Sequence, residues 1–468
     1  MIKKIALIKP PATYASWYKK PVLGISYIAA YLEENGFDCK IFDAYFNNLT
    51  EDILARNVVG YNPDIIGISS MTHEITQAAS IASILKEKLN VPVVIGGCHV
   101  TALPERTLDE FPVFDYGIYG EGEQTMLELL DCLSGSSQQN LKSVRGLVFR
   151  EEKSIIVNEP RAFFTSSQLD ELPLPALHHY YDNNTEALKD KDAYYVMMSG
   201  RGCPYNCAFC MQVLGRKIRS RSPENICREI EHAVSHYGGH MISFIDELFL
   251  NNDKRTEKVL QLMIETGLSK KIKWAAHTRA NIVNPELIDL AKRAGCFSIS
   301  IGVESGDDEI LKAVGKGITV ERIKKAVKII KGAGLALETF FIIGHPNETK
   351  ETVRKTIDLA AELNPTTIAV GIMVPYPGTR VYNMAKNGEG GYRLLSENWA
   401  EYDKYGGRSL EVKTLTYEEM ERYQMLAYVN LYLKNLRMID LLKFFYSKRK
   451  AFFFLINKIK GNIFPSKR

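Results

Sequence analysis

Apolar residues fall into two rhythms along this chain. Short unbroken runs are KIALIK (Lys4–Lys9), CKIFDA (Cys39–Ala44), DIIGISS (Asp64–Ser70), VPVVIGG (Val91–Gly97) and FDYGIYG (Phe114–Gly120). They alternate with stretches of helical spacing: GISYIAAYLEENG (Gly24–Gly36), Ala78–Leu89, and one starting near Glu123. Continuous Val/Ile runs separated by helices predict a parallel sheet covered on both faces, a doubly wound (Rossmann-like) α/β domain over residues 1–140. The ligand crevice of such a sheet lies beyond the carboxyl ends of its strands. There the chain reads KPPATYASW, SSMTHE, GGCHVTALPE and GEGE, with small residues that let a ligand approach the backbone. The candidates are Pro10, Pro11, Ser69, Ser70, Gly96, Gly97, His99, Gly120, Glu121 and Gly122.

Residues 141–192 read as a linker, with a small hairpin around Glu151–Lys153 and a proline-punctuated crossing segment, DELPLPALHHY. Over residues 193–398 the alternation returns. Six strands are expected at Tyr194–Ser199, Met241–Asp246, Ile272–His277, Phe297–Glu304, Leu335–Ile343 and Thr366–Val374, with amphipathic helices between them. Six repeats are too few to close an eight-stranded barrel, so a partial (β/α)6 TIM-type barrel follows, with its functional residues at the C-terminal strand ends. Residues 399–468 are expected to be a helical, basic C-terminal region.

Composition changes this picture only locally. With 46% apolar and 24% charged residues the 468-residue chain is ordinary globular material, and nothing suggests a nucleic-acid partner. The net charge of +4 conceals a tail, Lys434 to Arg468, that carries +9 and leaves −5 elsewhere. Its Phe-rich segments raise the expectation of a lipid-like substrate or a peripheral membrane contact. The N-terminal apolar run, Ile5–Ile8, is too short for a signal peptide, and no transmembrane span is expected, so the expected location is cytoplasmic.

Three of the eight cysteines sit together in SGRGCPYNCAFC as Cys203, Cys207 and Cys210, just after the first barrel strand. A disulfide needs two thiols and a structural zinc site four ligands. Downstream, Cys227 and His232 lie inside a predicted helix with no knuckle glycine. Three thiolates on one tight loop can instead hold a 4Fe-4S cluster and leave one iron open to a small-molecule ligand.

On these residues the chain resembles the radical S-adenosylmethionine (SAM) superfamily, whose C-x-x-x-C-x-aromatic-C signature reads here Cys203, Cys207, Phe209, Cys210. The resemblance implies that SAM occupies the open iron and is cleaved to methionine and a 5′-deoxyadenosyl radical. It also implies SAM contacts at Asp246 and Glu247 (ammonium), Arg279 (carboxylate), Glu304 (ribose) and the Gly344 turn, each just after a barrel strand. The first domain is similar to the cobalamin-binding domain that precedes the barrel in one subgroup, with the loop residues above as contacts. The D-x-H-x-x-G motif of histidine-ligated cobalamin proteins is missing: Pro10, Pro11, Ala12 and Thr13 follow the first strand. Both His73 and His99 are therefore read as hydrogen-bond or loop residues rather than cobalt ligands.

What the resemblance implies overall is a cobalamin-dependent radical SAM methyltransferase, acting on an unactivated carbon or a phosphorus centre of a small molecule. An external donor such as flavodoxin or ferredoxin would reduce the cluster. Three rivals stand beside it. Anaerobic oxidative cyclases share the domain order. Methylthiotransferases hold a second cluster on three N-terminal cysteines, whereas Cys39, Cys98 and Cys132 are scattered here. A non-catalytic metal-binding module would hold metal without turnover. No residue stands out as general acid or base. For cobalamin and cluster to act on one substrate, both sheets must turn their carboxyl ends toward a shared cavity.

Overall fold

The computed structural model describes residues 2–11, 20–135, 140–181, 188, 193–404 and 406–447. Part of the first crevice loop (12–19) and the end of the basic tail (448–468) lie outside the described residues.

The first five apolar runs form strands β1 (Lys4–Lys9), β2 (Asp38–Asp43), β3 (Ile65–Ser69), β4 (Val93–Gly96) and β5 (Tyr116–Ile118), all parallel. Their order, β2-β1-β3-β4-β5, is the expected doubly wound sheet. Both faces are buried: Ile8, Ile66, Ile68 and Ile95 in one core cluster, Ile5, Leu7, Ile65 and Val94 in the other. The hairpin expected in the linker does form, as β6 (Leu147–Glu151) and β7 (Ser154–Val157), but it extends this same sheet, antiparallel to β5. Its residues alternate between the two cores, Val148 on one face and Leu147 and Phe149 on the other. Pairing this way removes an otherwise open edge at the short β5.

The second sheet has the order β15-β14-β13-β12-β11-β8, all parallel. Its strands are β8 (Tyr195–Met197), β11 (Met241–Phe244), β12 (Lys273–Thr278), β13 (Cys296–Glu304), β14 (Ala336–Ile343) and β15 (Thr367–Ile372). Six strands, with no closing pair among the described residues, make the partial barrel. A short antiparallel pair, β9 (Gly200–Arg201) and β10 (Arg219–Ser220), clasps the base of the cysteine loop, an element absent from the sequence reading. The helix Tyr417–Lys434 covers the barrel's far edge, where Gln424 donates to the Val370 carbonyl at 2.8 Å and Val370 N–H donates to the Tyr428 hydroxyl at 3.0 Å. Side chains thus satisfy backbone groups that no neighbouring strand reaches.

The C-terminal region is not wholly helical. Strands β16 (Tyr392–Leu394) and β17 (Leu410–Val412) form a hairpin, and Trp399 between them returns to the first domain, donating to Glu110 at 2.6 Å beneath Arg106. No helix among the described residues is long and apolar enough to cross a membrane.

Candidate functional site

The cysteine loop is held open by backbone conformation. Gly202 has φ +97°, and a Cβ there would stand 2.4 Å from the Lys217 carbonyl oxygen, so only glycine turns the chain out of β9. Cys203 N–H then donates to Gly215 O at 3.1 Å, and Ala208 N–H to Val314 O at 2.8 Å. All three cysteines are free, and Cys210 is exposed. Among the described residues only Glu33, His178 and His179 gather three ligand atoms within 4.8 Å of one another. The three sulfurs are therefore spread wider than one zinc would hold them, since thiolates at about 2.3 Å from a tetrahedral ion stand roughly 3.8 Å apart. A cluster that gives each thiolate its own iron suits the wider spread. Partial burial raises the thiol of Cys203, and the Arg279 charge pulls it partly back.

Residues expected to contact SAM form a connected chain around this loop. Arg279 lies over the Tyr205 ring at 3.6 Å, donates to Cys207 Sγ at 3.5 Å and also to the Lys316 carbonyl. The Lys316 ammonium pairs with Glu304 at 2.7 Å, both side chains being buried. Glu304 sits at φ +70°. A Cβ on Gly302 would collide with both partners, at 2.2 Å from Glu304 Oε1 and 2.7 Å from Lys316 Nζ, so this glycine makes room for the pair. His345 Nε2 lies 3.4 Å from the Glu304 carbonyl oxygen, and its ring centroid 6.2 Å from that of Phe209. Burial pushes His345 down to about 4, so it is neutral at physiological pH. Gly344 donates its N–H to Glu348 Oε2 at 2.5 Å. Asp246 is bound to the start of the motif, its carboxylate accepting from Ser199 N–H at 3.0 Å and Ser199 Oγ at 2.6 Å, while Glu247 is exposed.

The other candidates meet at the domain junction. A cavity of about 250 Å³ is lined by Ser69, Gly96, Gly97, Gly120, Glu121 and Gly122 at the carboxyl ends of the first sheet, and by Met198, Arg201, Val213 and Leu214 beside the cysteine loop. The crevice of the first sheet is therefore walled on its other side by segments that flank the cysteine loop. A glycine-walled cavity with apolar flanks fits part of a flat macrocyclic cofactor. Glu121 does more than line it. Its oxygens accept from Arg201 at 2.9 Å, Arg219 at 2.8 Å and Phe164 N–H at 2.7 Å, and Glu123 takes the other Arg201 nitrogen at 2.7 Å. The remaining candidates sit elsewhere. Pro10, Pro11, Ser70 and His99 are not among the cavity's lining residues. His99 is fully buried edge-on against Trp399 with ring centroids 5.0 Å apart, and burial lowers it to about 4. His73 is likewise buried, near Glu74, which pairs with Lys9.

Sequence reasoning missed a polar belt inside the barrel. His277, Ser300 and Glu338 are in lateral register on β12, β13 and β14. Their neighbours Ala276, Ile299, Ile301 and Leu337 pack in the core beneath the helices, so the belt faces the opposite side, the lumen. Ser300 donates to Glu338 at 2.7 Å, and Lys20, arriving from the first domain, donates to Ser243 on β11 at 3.0 Å. Burial lowers both Lys20 and His277, against the raising effect of Glu338. Alternation within the predicted strands was the available signal.

Comparison with known proteins finds two family matches along the chain. Residues 17–130 match the B12 binding domain and residues 197–360 the Radical SAM superfamily. An uncharacterized methyltransferase of Pyrococcus horikoshii is 35% identical over 444 residues, covering 92% of this chain and 93% of that protein. The anaerobic magnesium-protoporphyrin IX monomethyl ester cyclase of Rubrivivax gelatinosus is 29% identical over 370 residues, 76% of this chain and 65% of that one. Among solved structures, the radical SAM methyltransferase TsrM of Kitasatospora setae, with cobalamin and 4Fe-4S cluster bound, aligns with a TM-score of 0.72 at 17% identity. That alignment covers 93% of this chain and 89% of TsrM and speaks for the fold.

Proposed function

Because the chain belongs to the cobalamin-binding radical SAM enzymes, we propose that it methylates an unactivated carbon or a phosphorus centre of a small, polar substrate bound in the barrel lumen. Its cofactors are a 4Fe-4S cluster, SAM and cobalamin. Together they supply an organic radical and a transferable methyl group; the protein must bind, orient and shield them.

One observation carries the reading: the cavity whose walls come from the strand ends of the first sheet and from the flanks of the cysteine loop. Cys203, Cys207 and Cys210 are the proposed cluster ligands. Arg279 touches Cys207 and lies over Tyr205, which supports a role in orienting a carboxylate beside the cluster. Asp246, Glu247, Glu304, Phe209 and the Gly344 turn are the proposed SAM-site residues, and Gly96, Gly97, Gly120 and Gly122 the proposed cobalamin cradle. The belt of Lys20, His277, Ser300 and Glu338 supports a substrate with a hydrogen-bonding or charged group over the lipid-like one that the tail suggests. We take the reductant to be a flavodoxin or ferredoxin and the compartment to be the cytoplasm.

The test is anaerobic reconstitution with cobalamin and methyl-deuterated SAM, followed by a search of cell extract for labelled metabolites. A product carrying an intact trideuteromethyl group on carbon or phosphorus is expected. A dehydrogenated or cyclised product without label would replace methyl transfer by the cyclase reaction.

A further inference from the structure

Outside the cluster loop, metal-binding side chains concentrate where three segments meet: the end of the helix Leu23–Glu34, the short connector helix His178–Tyr181, and the barrel helix Pro223–Tyr237. Glu33, His178 and His179 place a carboxylate oxygen and two imidazole nitrogens within 4.8 Å of one another. Both nitrogens converge on one atom, Glu33 Oε1, at 2.8 Å from His179 Nε2 and 3.5 Å from His178 Nε2. The two rings are 4.2 Å apart. Donors on a tetrahedral zinc ion at about 2.0–2.1 Å stand roughly 3.3 Å from each other. The observed separations bracket that value.

Hydrogen bonds alone would have each imidazole donate an Nε2–H to that one oxygen. A divalent cation would instead take a lone pair from each of the three groups, and it calls for the same convergence of donor atoms. The connector is also fixed before any ion arrives, because Ala176 N–H donates to Ser26 O at 3.0 Å.

More donors face the same space. A cavity of about 430 Å³ beside the triad is lined by Glu33, Glu34 and His178 and, from the barrel helix, by His232 and His236. These last two are one helical turn apart, with stacked ring centroids 4.9 Å apart.

We propose that Glu33, His178 and His179 form a second metal site, for a borderline divalent cation of which zinc suits imidazole and carboxylate best, with His232 and His236 as further donors across the cavity. The site joins the first domain, the connector and the barrel. An ion there staples the two domains on the side formed by these helices and helps fix the angle at which the crevice meets the barrel.

The probe is Co2+, added anaerobically to the full chain with its cluster and cobalamin loaded. The expected result is about one Co2+ per chain with d–d absorption, no thiolate charge-transfer band, and displacement by zinc. The double change His178→Ala/His179→Ala should weaken uptake at least about 10-fold. Glu33→Gln, which keeps an oxygen for the imidazoles and so guards against simple misfolding, should also weaken it, and zinc should raise the melting midpoint of the wild type more than that of Glu33→Gln. Uptake indifferent to both variants, or lost only in Cys203→Ser, would overturn the site.

Discussion

The junction between the two domains rests on a buried quartet of charges, and Glu121→Gln is the sharpest way to test it. Glu121, Glu123, Arg201 and Arg219 all have side chains at most 8% exposed and together carry no net charge. Glutamine is nearly isosteric, so packing around the cavity stays the same. What changes is charge, from zero to +1, and hydrogen bonding. One of the two oxygens becomes an amide that donates, facing either Phe164 N–H or an Arg219 nitrogen, themselves both donors. Arg219 then keeps only neutral acceptors: Phe164 O at 2.9 Å, Leu214 O at 2.8 Å and the one remaining oxygen at position 121. Removing one partner of a buried ion pair costs about 3–5 kcal/mol, because the surviving charge is stranded away from water. For a domain of this size that is on the order of 10 °C in melting midpoint.

Thermal unfolding under anaerobic conditions, read by circular dichroism, gives the first number; hydroxocobalamin titration gives the second. Cobalamin affinity should fall with stability, because the network forms one wall of the crevice, while iron content should hold, since the cysteines are untouched. Adding Arg219→Met restores neutrality and should recover at least half of the loss, even though each change alone destabilises. A Glu121→Gln protein melting within about 2 °C of wild type would refute the account. So would a double variant whose loss equals the sum of the singles.

Three further outcomes follow from the site. Gly202→Ala should abolish cluster incorporation, read as iron and sulfide content, while cobalamin still binds, because φ +97° and the Lys217 carbonyl at 2.4 Å leave no room for a methyl group. Lys316→Met should strand Glu304 and cost about 3–5 kcal/mol, with SAM binding weakened in equilibrium dialysis and partly recovered by Lys316→Arg. Burial raises Glu348 to about 7 despite the N–H groups of Gly344 and His345, so the folded protein holds this proton more tightly than the unfolded chain does. Its contribution is therefore lost as pH rises from about 4.5 to 7, and the wild-type melting midpoint should fall relative to Glu348→Gln across that window; a constant difference would refute it.

Much of this architecture was legible because its signals are local. Strands such as Ile65–Ser69 and Val93–Gly96 are runs rich in Val and Ile, and the cysteine spacing is contained in eight residues. The same local signal hid other features. The strand LETFFII carries a single charged residue in an otherwise mostly apolar run, so the alternation that sends Glu338 to the lumen while Leu337 and Phe341 pack in the core is faint in the sequence. The hairpin at Leu147–Val157 was visible, but its pairing with Tyr116 joins residues far apart in sequence. His99 follows a glycine pair at a strand end, as a ligand would, yet its surroundings come from Trp399, three hundred positions away.

The charged candidates show why such misreadings concentrate at the site. A carboxylate or guanidinium buried without a partner costs several kcal/mol, so a fold that is stable before its cofactors arrive must supply partners of its own. Asp246 is held by Ser199, Glu304 by Lys316, Glu121 by two arginines, and Arg279 by Tyr205 and Cys207. In every case at least one partner lies on or beside the cysteine loop or at the rim of the crevice. Position at a strand end therefore says where these residues lie in the fold and misstates what they touch first. A carboxylate accepts up to about four hydrogen bonds, and the contacts at Asp246 and Glu304 use only part of that capacity. The same side chains can thus hold the loops in place and still receive a cofactor, so their substitution should impair loop geometry and cofactor affinity together.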